Sequence, residues 1–413
     1  MSAFTIPLSG LAAASASLNV IGNNLANLNT DGYKDESLDF SSIFNQIQGT
    51  SGNGDPIQYG NGVEVAGTVA NFSSGNVDST GVASNMALQG NGFFVVQDSN
   101  GAADYTRDGD FTVNSEGQLC NQAGQLVMGY PAANGVVQTG AALAPITVNQ
   151  INNVPATATT NFQMTTNLDA TASVGTTFDS PITVYDSLGE AHVLSVQFTN
   201  TAANTWTYNI TLPAADTGGT GNPTQVATGT LTFNSSGVLT SPTGSVTGIA
   251  INGLADGAAA MNLTWNLGGS GGTSAITQQA AASDTSETTQ NGYASGTLTG
   301  YSVLSDGTVQ GQFSNGQTLA LGQVAVASFA NSQGLTQTAN NDYQASFASG
   351  AAVVGQAGQG GNGTITGGAV EESNVNLSTE FANMIVAQQG YEANAKVLST
   401  LDQVTQATLQ MIT

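Results

Sequence analysis

The sequence predicts an α+β chain with long N- and C-terminal helices forming a coiled-coil-like stem and a β-rich middle in two blocks. Three observations carry this. Phe4, Leu11, Leu18 and Leu25 recur every seven residues, and Ala14, Ile21 and Leu28 fill the intervening positions, the spacing of a helix–helix seam. Leu377, Met384, Tyr391, Leu398 and Ile412 stand on a second seven-residue ladder, with Phe381, Ala395 and Leu409 between its rungs and polar Gln388, Asp402 and Thr405 interrupting it. Between these ends, apolar residues alternate with period two in short runs bounded by Gly and Asn, as in half-buried strands. Periodicity leaves open whether the two helices pair within one chain or between chains.

Taken in order, residues 1–32 form the first helix, which carries no charge before residue 31 and is predicted to stop near Asn29-Thr30-Asp31-Gly32. Gly32 supplies the left-handed conformation that ends a helix. Residues 33–70 read as a connector, loop-like over 49–62 and strand-like at Val63, Val65 and Val69. Residues 71–150 are a first β block, with runs at Phe93–Val96, Phe111–Val113 and Leu126–Met128. Residues 151–282 alternate more cleanly, through Leu194, Val196 and Phe198, through Trp206, Tyr208, Ile210 and Leu212, and through Met261, Leu263, Trp265 and Leu267. Segments 217–223 and 268–272 read as turns or mobile loops. Residues 283–358 return to the idiom of the first block, residues 359–375 connect, and residues 376–413 form the second helix. The glycine-rich run 355–368 reads as a flexible return. The simplest topology nests the second block inside the first.

Composition narrows the function. A chain of 413 residues is long for one core and implies two or more domains. Twenty-seven acidic residues face only Lys34, Arg107 and Lys396, a net charge of −24. Binding to nucleic acid or anionic lipid by charge is excluded, because both need a basic surface. A hydrophobic content of 40% with clear strand periodicity argues against disorder. The single Cys120 excludes an intrachain disulfide and reads as a small, partly buried thiol. No basic region precedes an apolar run at the N-terminus, so no cleaved signal peptide is expected. No span is read as reaching the roughly 20 apolar residues of a membrane helix, so no membrane insertion is expected.

Residues that could carry chemistry are few. His192, the only histidine, has no Ser or Cys nucleophile motif around it and reads as a hydrogen-bonded strand residue. Asp108, Asp110, Asn114 and Glu116 fall short of a calcium loop, because Thr112 and Val113 stand where a ligand and Gly belong. The chain is therefore read as no enzyme, with no catalytic, metal or cofactor-binding residue and no cofactor.

The run GNNLANLNTDGYK at 22–34 resembles the shared N-terminal motif of the bacterial flagellar rod, hook and hook-associated proteins, and residues 371–403 resemble their C-terminal motif. GNGFFVV at 90–96, YTRDGDFTVNSEGQL at 105–119 and VYDSLGEAHVLSVQFT at 184–199 match as well, the last resembling the outer domain of hook members. Gln389 stands where the family usually has arginine, and Asn85 where it usually has aspartate. The resemblance implies that 71–150 and 283–358 are two parts of an inner domain and 151–282 an outer domain inserted into it. It also implies a structural subunit that polymerises with itself into a curved tubular hook and meets flagellar rod and hook-associated proteins, the hook cap and the type III export apparatus. Its place would be extracellular, on the flagellum.

The assembly seam so implied comprises Phe4, Leu11, Leu18, Ile21, Leu25, Leu28, Leu377, Phe381, Met384, Tyr391, Leu398, Leu409 and Ile412. Phe4 and Leu8 resemble the aromatic and aliphatic ends of an early export element. The alternatives are another flagellar axial protein, or a secreted β-rich adhesin, which would have no reason to carry two complementary helical ends.

Overall fold

A computed structural model describes residues 2–44, 46–51, 56–149, 151, 153–269 and 274–412. Two α-helices bracket the chain, α1 (Ser2–Ala26) and α2 (Leu377–Ile412), and the described residues between them form strands, turns and short 3-10 helices. The chain divides into two compact units. The first comprises residues 1–150, 300–311 and 318–413, and the second 151–299 and 312–317.

In the first unit, α1 and α2 lie side by side. Gly10 sits so close to Asn394 that a Cβ there would fall 2.7 Å from its Oδ1. Ser17, Val20 and Ile21 share a groove with Thr379, Glu380, Asn383 and Ala387, so the helices run antiparallel. At that register the start of α1 meets α2 near Asp402, and the remainder of α2 continues past it. α1 ends at Ala26 rather than near residue 30, because beyond it the backbone tightens to turns, the Leu28 amide bonding the Leu25 carbonyl and the Thr30 amide the Asn27 carbonyl.

The sheet of this unit is built on Thr318–Ser328, which pairs antiparallel with Leu126–Ala133, Phe93–Gln97 and Val353–Gln356. Phe93–Gln97 continues the sheet through Ala103–Thr106 to Asp342–Gln344. Phe93, Val95, Tyr105, Met128, Ala325, Ala327 and Tyr343 form a core on one face, with Phe72 and Phe329 edge-on against its rings. The expected loop 49–62 includes the paired strands Gln46–Thr50 and Pro56–Tyr59, with residues 52–55 outside those described. The glycine-rich return is likewise no free linker. Thr364–Gly367 pairs with Met86–Gln89, and Ala369–Glu371 with Val77–Ser79. Its glycines permit contact: a Cβ on Gly363 would fall 2.2 Å from the carbonyl of Gln89.

The second unit holds two five-stranded sheets around one core. Thr177–Tyr185, Ala191–Ala202, Thr205–Leu212, Thr224–Phe233 and Leu239–Ser241 form an antiparallel meander. Asn161–Asp169 organises the other, pairing parallel with Met261–Asn266 and Ile276–Gln279 and antiparallel with Asp284–Gln290. The core between them is continuous, including Phe162, Phe198, Trp206, Ile210, Leu263 and Trp265. Tyr208 meets the Trp265 ring edge-on at 5.2 Å. Asp284–Gln290 belongs to this sheet, so the unit extends beyond the expected boundary at 282, to 299. The turn expected at 268–272 falls largely on residues outside those described.

Candidate assembly site

The N-terminal motif and the start of the C-terminal motif meet in a buried cluster of charge. Lys34 Nζ lies 2.7 Å from Glu371 Oε1, and Arg107 Nη1 lies 3.3 Å from Glu371 Oε2. None of these side chains is more than 2% exposed. Two of the three cations in the chain thus converge on one carboxylate. The surplus positive charge is met by backbone carbonyls: Lys34 donates to Ser73 at 2.8 Å, and Arg107 to Leu88 at 3.2 Å and Gly90 at 2.6 Å. The Arg107 guanidinium also stands 5.4 Å from the centre of the Phe93 ring. Burial pulls the pKa of Lys34 and of Arg107 down, and Glu371 opposes that pull in both.

Around this cluster the backbone is tied from both ends. The Gly32 amide donates to the Glu371 carbonyl at 2.7 Å, and the Asp35 amide to Asn374 Oδ1 at 2.7 Å. Gly32 is left-handed (φ 67°), and a Cβ on it would fall 2.5 Å from the backbone of Arg107 and Asp108. Buried Asn24 donates to the Glu36 carbonyl at 2.8 Å and accepts the Tyr33 hydroxyl at 3.1 Å, fastening the end of α1 to the same place. Burial, with Glu36 and Asp35 nearby, pushes the Tyr33 phenol up to about 12. Asp108, beside this turn, is pushed up to about 6, first by burial and then by Asp31 and Asp110.

The expected seam residues divide within one chain. Ile21 is buried; Phe4, Leu11, Leu18, Leu25, Leu28, Met384 and Leu398 are half-buried. Leu377, Phe381, Tyr391 and Leu409 are exposed, as are Ile385, Val386, Val397, Val404 and Met411. The side chain of Ile412 lies outside those described. Of the candidate export element, Phe4 is half-buried and Leu8 is 58% exposed. The reading that no segment suits a bilayer does not hold by length and composition. Phe4–Ala26 spans 23 residues with a mean hydropathy of 1.4 in its most apolar window, because the Ala and Ser that permit close helix packing dilute its apolarity little.

The remaining candidates fall elsewhere. Asp110 accepts Gln122 at 2.6 Å, and Asn114 bonds Gln118 and closes its own turn, so the Asp108–Glu116 stretch is a chain of local turns. Cys120 is buried beside Thr112 Oγ1, 3.7 Å away. Asn85 is buried; in the amide orientation that satisfies its neighbours, it accepts from Thr80 and donates to Phe111 and Asp110, a donation that an ionised aspartate could not make. Gln389 is exposed on α2. His192, in the second unit, has both ring nitrogens on carboxylates, Asp216 at 2.9 Å and Asp186 at 3.2 Å.

The comparisons with known proteins reach both ends of the chain and its middle. Residues 6–34 match the flagella basal body rod protein family and 366–411 the flagellar basal body rod FlgEFG C-terminal family. Residues 87–173 match the flagellar hook protein FlgE/F/G D1 domain, and 153–293 the flagellar basal body protein FlaE D2 domain. The chain is 38% identical to flagellar hook protein FlgE of Salmonella typhimurium, over 97% of this chain and 98% of that protein. Identity to FlgE of Escherichia coli is 37%, with the same coverage. Borreliella burgdorferi FlgE is 30% identical over 98% of each chain. Among solved structures, Helicobacter pylori flagellar hook protein FlgE2 shares the fold, with a TM-score of 0.53 and 15% identity over 70% of this chain and 98% of that one.

Proposed function

The chain belongs to the flagellar hook protein FlgE family, and from that premise we propose that α1 and α2 act as a coiled-coil-like stem through which copies join into a curved tube, the universal joint that passes torque from rod to filament. The observation that carries this is the surface of α2. One face lies against α1, yet Phe381, Ile385, Val386, Val397 and Val404 remain exposed on its other faces. A helix apolar on more than one side calls for more than one neighbour. Stems of other copies supply those neighbours, with the seam residues of both helices at the contacts.

Rotation of a bent tube makes subunits slide, which favours interfaces with several nearly equal packings. The Ala, Ser, Gly and Thr along α1 suit that better than interlocked large side chains. The subunit meets rod proteins at one end of the tube and hook-associated proteins at the other. It reaches the outside through the type III apparatus without a cleaved signal, Phe4 and Leu8 serving as its export element, and adds beneath the hook cap.

The test is assembly of purified protein, watched by electron microscopy. Phe381→Glu and Val404→Glu alter side chains that are 50% and 58% exposed, so the monomer should keep its circular dichroism while tubes fail to form. Tubes of normal yield from both variants would place the assembly surface elsewhere.

A further inference from the structure

His192 stands on Ala191–Ala202 among three carboxylates. Its Nδ1 lies 2.9 Å from Asp216 Oδ2, and its Nε2 lies 3.2 Å from Asp186 Oδ2. The Asp186 side chain is fully buried, and its Oδ1 already accepts the amides of Leu188, Gly189 and Glu190 at 2.8, 2.7 and 2.9 Å. Its Oδ2 faces the imidazole. Ligand atoms of Asp186, His192 and Asp256 all lie within 4.8 Å of one another. When the Nδ1 proton is donated to Asp216, Nε2 presents a lone pair, and three electron-pair donors then lie within 4.8 Å of one another. Protons or a cation satisfy such a gathering of acceptors around the buried Asp186.

The geometry points to a divalent transition-metal site of the zinc type, formed by His192 Nε2, Asp186 and Asp256, with a further position open to water. Imidazole selects zinc, nickel or copper over the hard cations calcium and magnesium. The 3.2 Å between Nε2 and Oδ2 matches the edge between two ligands that each stand about 2.0–2.1 Å from a tetrahedral zinc. Asp216 fixes the ring tautomer and orientation, as carboxylates behind metal-bound histidines do. The ligands come from a turn, a strand and the loop around Asp256. That loop is otherwise held by the Ala255 amide on the Asp216 carbonyl at 2.8 Å and the Ala259 amide on Ser187 Oγ at 3.0 Å. Binding replaces the second imidazole proton, which passes to the buffer; no other bond changes. The metal would pin one end of the second unit.

Because the chain has a single histidine, the experiment has a single reporter. Protein labelled with ¹⁵N-histidine and stripped by chelator is titrated with Zn²⁺, and separately with Co²⁺, at pH about 8 and again at about 9, because burial, which lowers the imidazole pKa, is outweighed by Asp216 and Asp186, which hold it above its ordinary value of about 6.5. One equivalent should bind per chain, shifting the imidazole resonances with Zn²⁺ and broadening them away with Co²⁺, while Ca²⁺ and Mg²⁺ leave them unmoved. His192→Asn should abolish that equivalent, and Asp216→Asn should weaken it about tenfold or more. Asp256→Asn, at an exposed position, keeps the fold and should weaken binding. Cys120→Ser should change nothing, since the thiol lies in the other unit. The inference is overturned if Zn²⁺ leaves the histidine signal untouched. It is equally overturned if the bound equivalent survives Asp256→Asn with unchanged affinity or disappears with Cys120→Ser.

Discussion

Glu371 accepts the Gly32 amide on its carbonyl at 2.7 Å and holds Lys34 on its carboxylate at the same distance, so one residue closes both the backbone and the charge of the junction between the two termini. Removing a partner from a buried ion pair costs about 3–5 kcal/mol, because the other charge is stranded. Glu371→Gln should therefore unfold the first unit at markedly lower urea. Both tryptophans, Trp206 and Trp265, lie in the second unit, so their fluorescence should keep its own transition while far-ultraviolet circular dichroism shows the early loss. Coincident loss in both signals would mean that the junction supports the whole chain.

Gly32→Ala tests the same place through the backbone. The substitution combines a left-handed φ with a Cβ inside contact distance of Arg107, so it should destabilise by more than about 1 kcal/mol. Urea midpoints for the first unit measure it, and Gly22→Ala, where a Cβ meets nothing within 4 Å, is the control.

Asp108 and Asp342 are both pushed up to about 6, mainly by burial. The folded state then binds protons that the unfolded chain, with carboxyl groups near 3.8, has released. These two groups accordingly stabilise the fold when protonated, and their contribution is lost as pH rises from about 4 to about 6. Asp342→Asn should raise stability at neutral pH and flatten that part of the profile. A profile with unchanged slope in that window would show that neither carboxyl group titrates there.

Truncation after Asp402 removes the part of α2 beyond the start of α1. Most of the α1–α2 contact and all of the Glu371 junction remain, so the monomer should melt as before while tube formation is lost. Normal tubes would restrict the assembly contacts to the paired length of the helices.

Charge gives a prediction about solvent. The chain carries a net charge of −24, and two of its three cations are consumed at Glu371. Residues 151–299 contain no Lys or Arg at all. Like charges repel over about 30 Å at 0.01 M salt and about 10 Å at 0.1 M. Tube yield should rise with sodium chloride across that range and rise less with sucrose, which strengthens apolar burial without screening. A flat response to sodium chloride would mean that the acidic faces stand too far apart to matter.

The two helices were legible because a seven-residue ladder survives in sequence whatever it packs against, and the second unit because strands such as Thr205–Leu212 alternate without a break. The junction was not. Lys34 and Arg107 lie 337 and 264 positions from Glu371, and no local pattern joins them to it. The one available signal was scarcity, since the three cations of the chain all fall inside family-like motifs. The return through 355–368 was misread because glycine marks both mobility and close approach, and only the facing strand distinguishes them. The seam ladders give the spacing of contacts but not the neighbour, which is why Phe381 and Leu398, both expected there, differ in exposure within one chain.

The separation of Lys34 from Glu371 by 337 positions has a bearing on timing. A chain that appears from its N-terminus offers Lys34 and Arg107 long before their carboxylate exists, and α1 long before α2. The second unit closes among its own residues, 151–299 and 312–317, and needs neither. Late closure of so long a loop adds little entropy, since each doubling of length costs only about 0.6 kcal/mol, but it does impose an order. With the terminal helices as the proposed contacts between copies, that surface is completed last, and a half-delivered subunit lacks it.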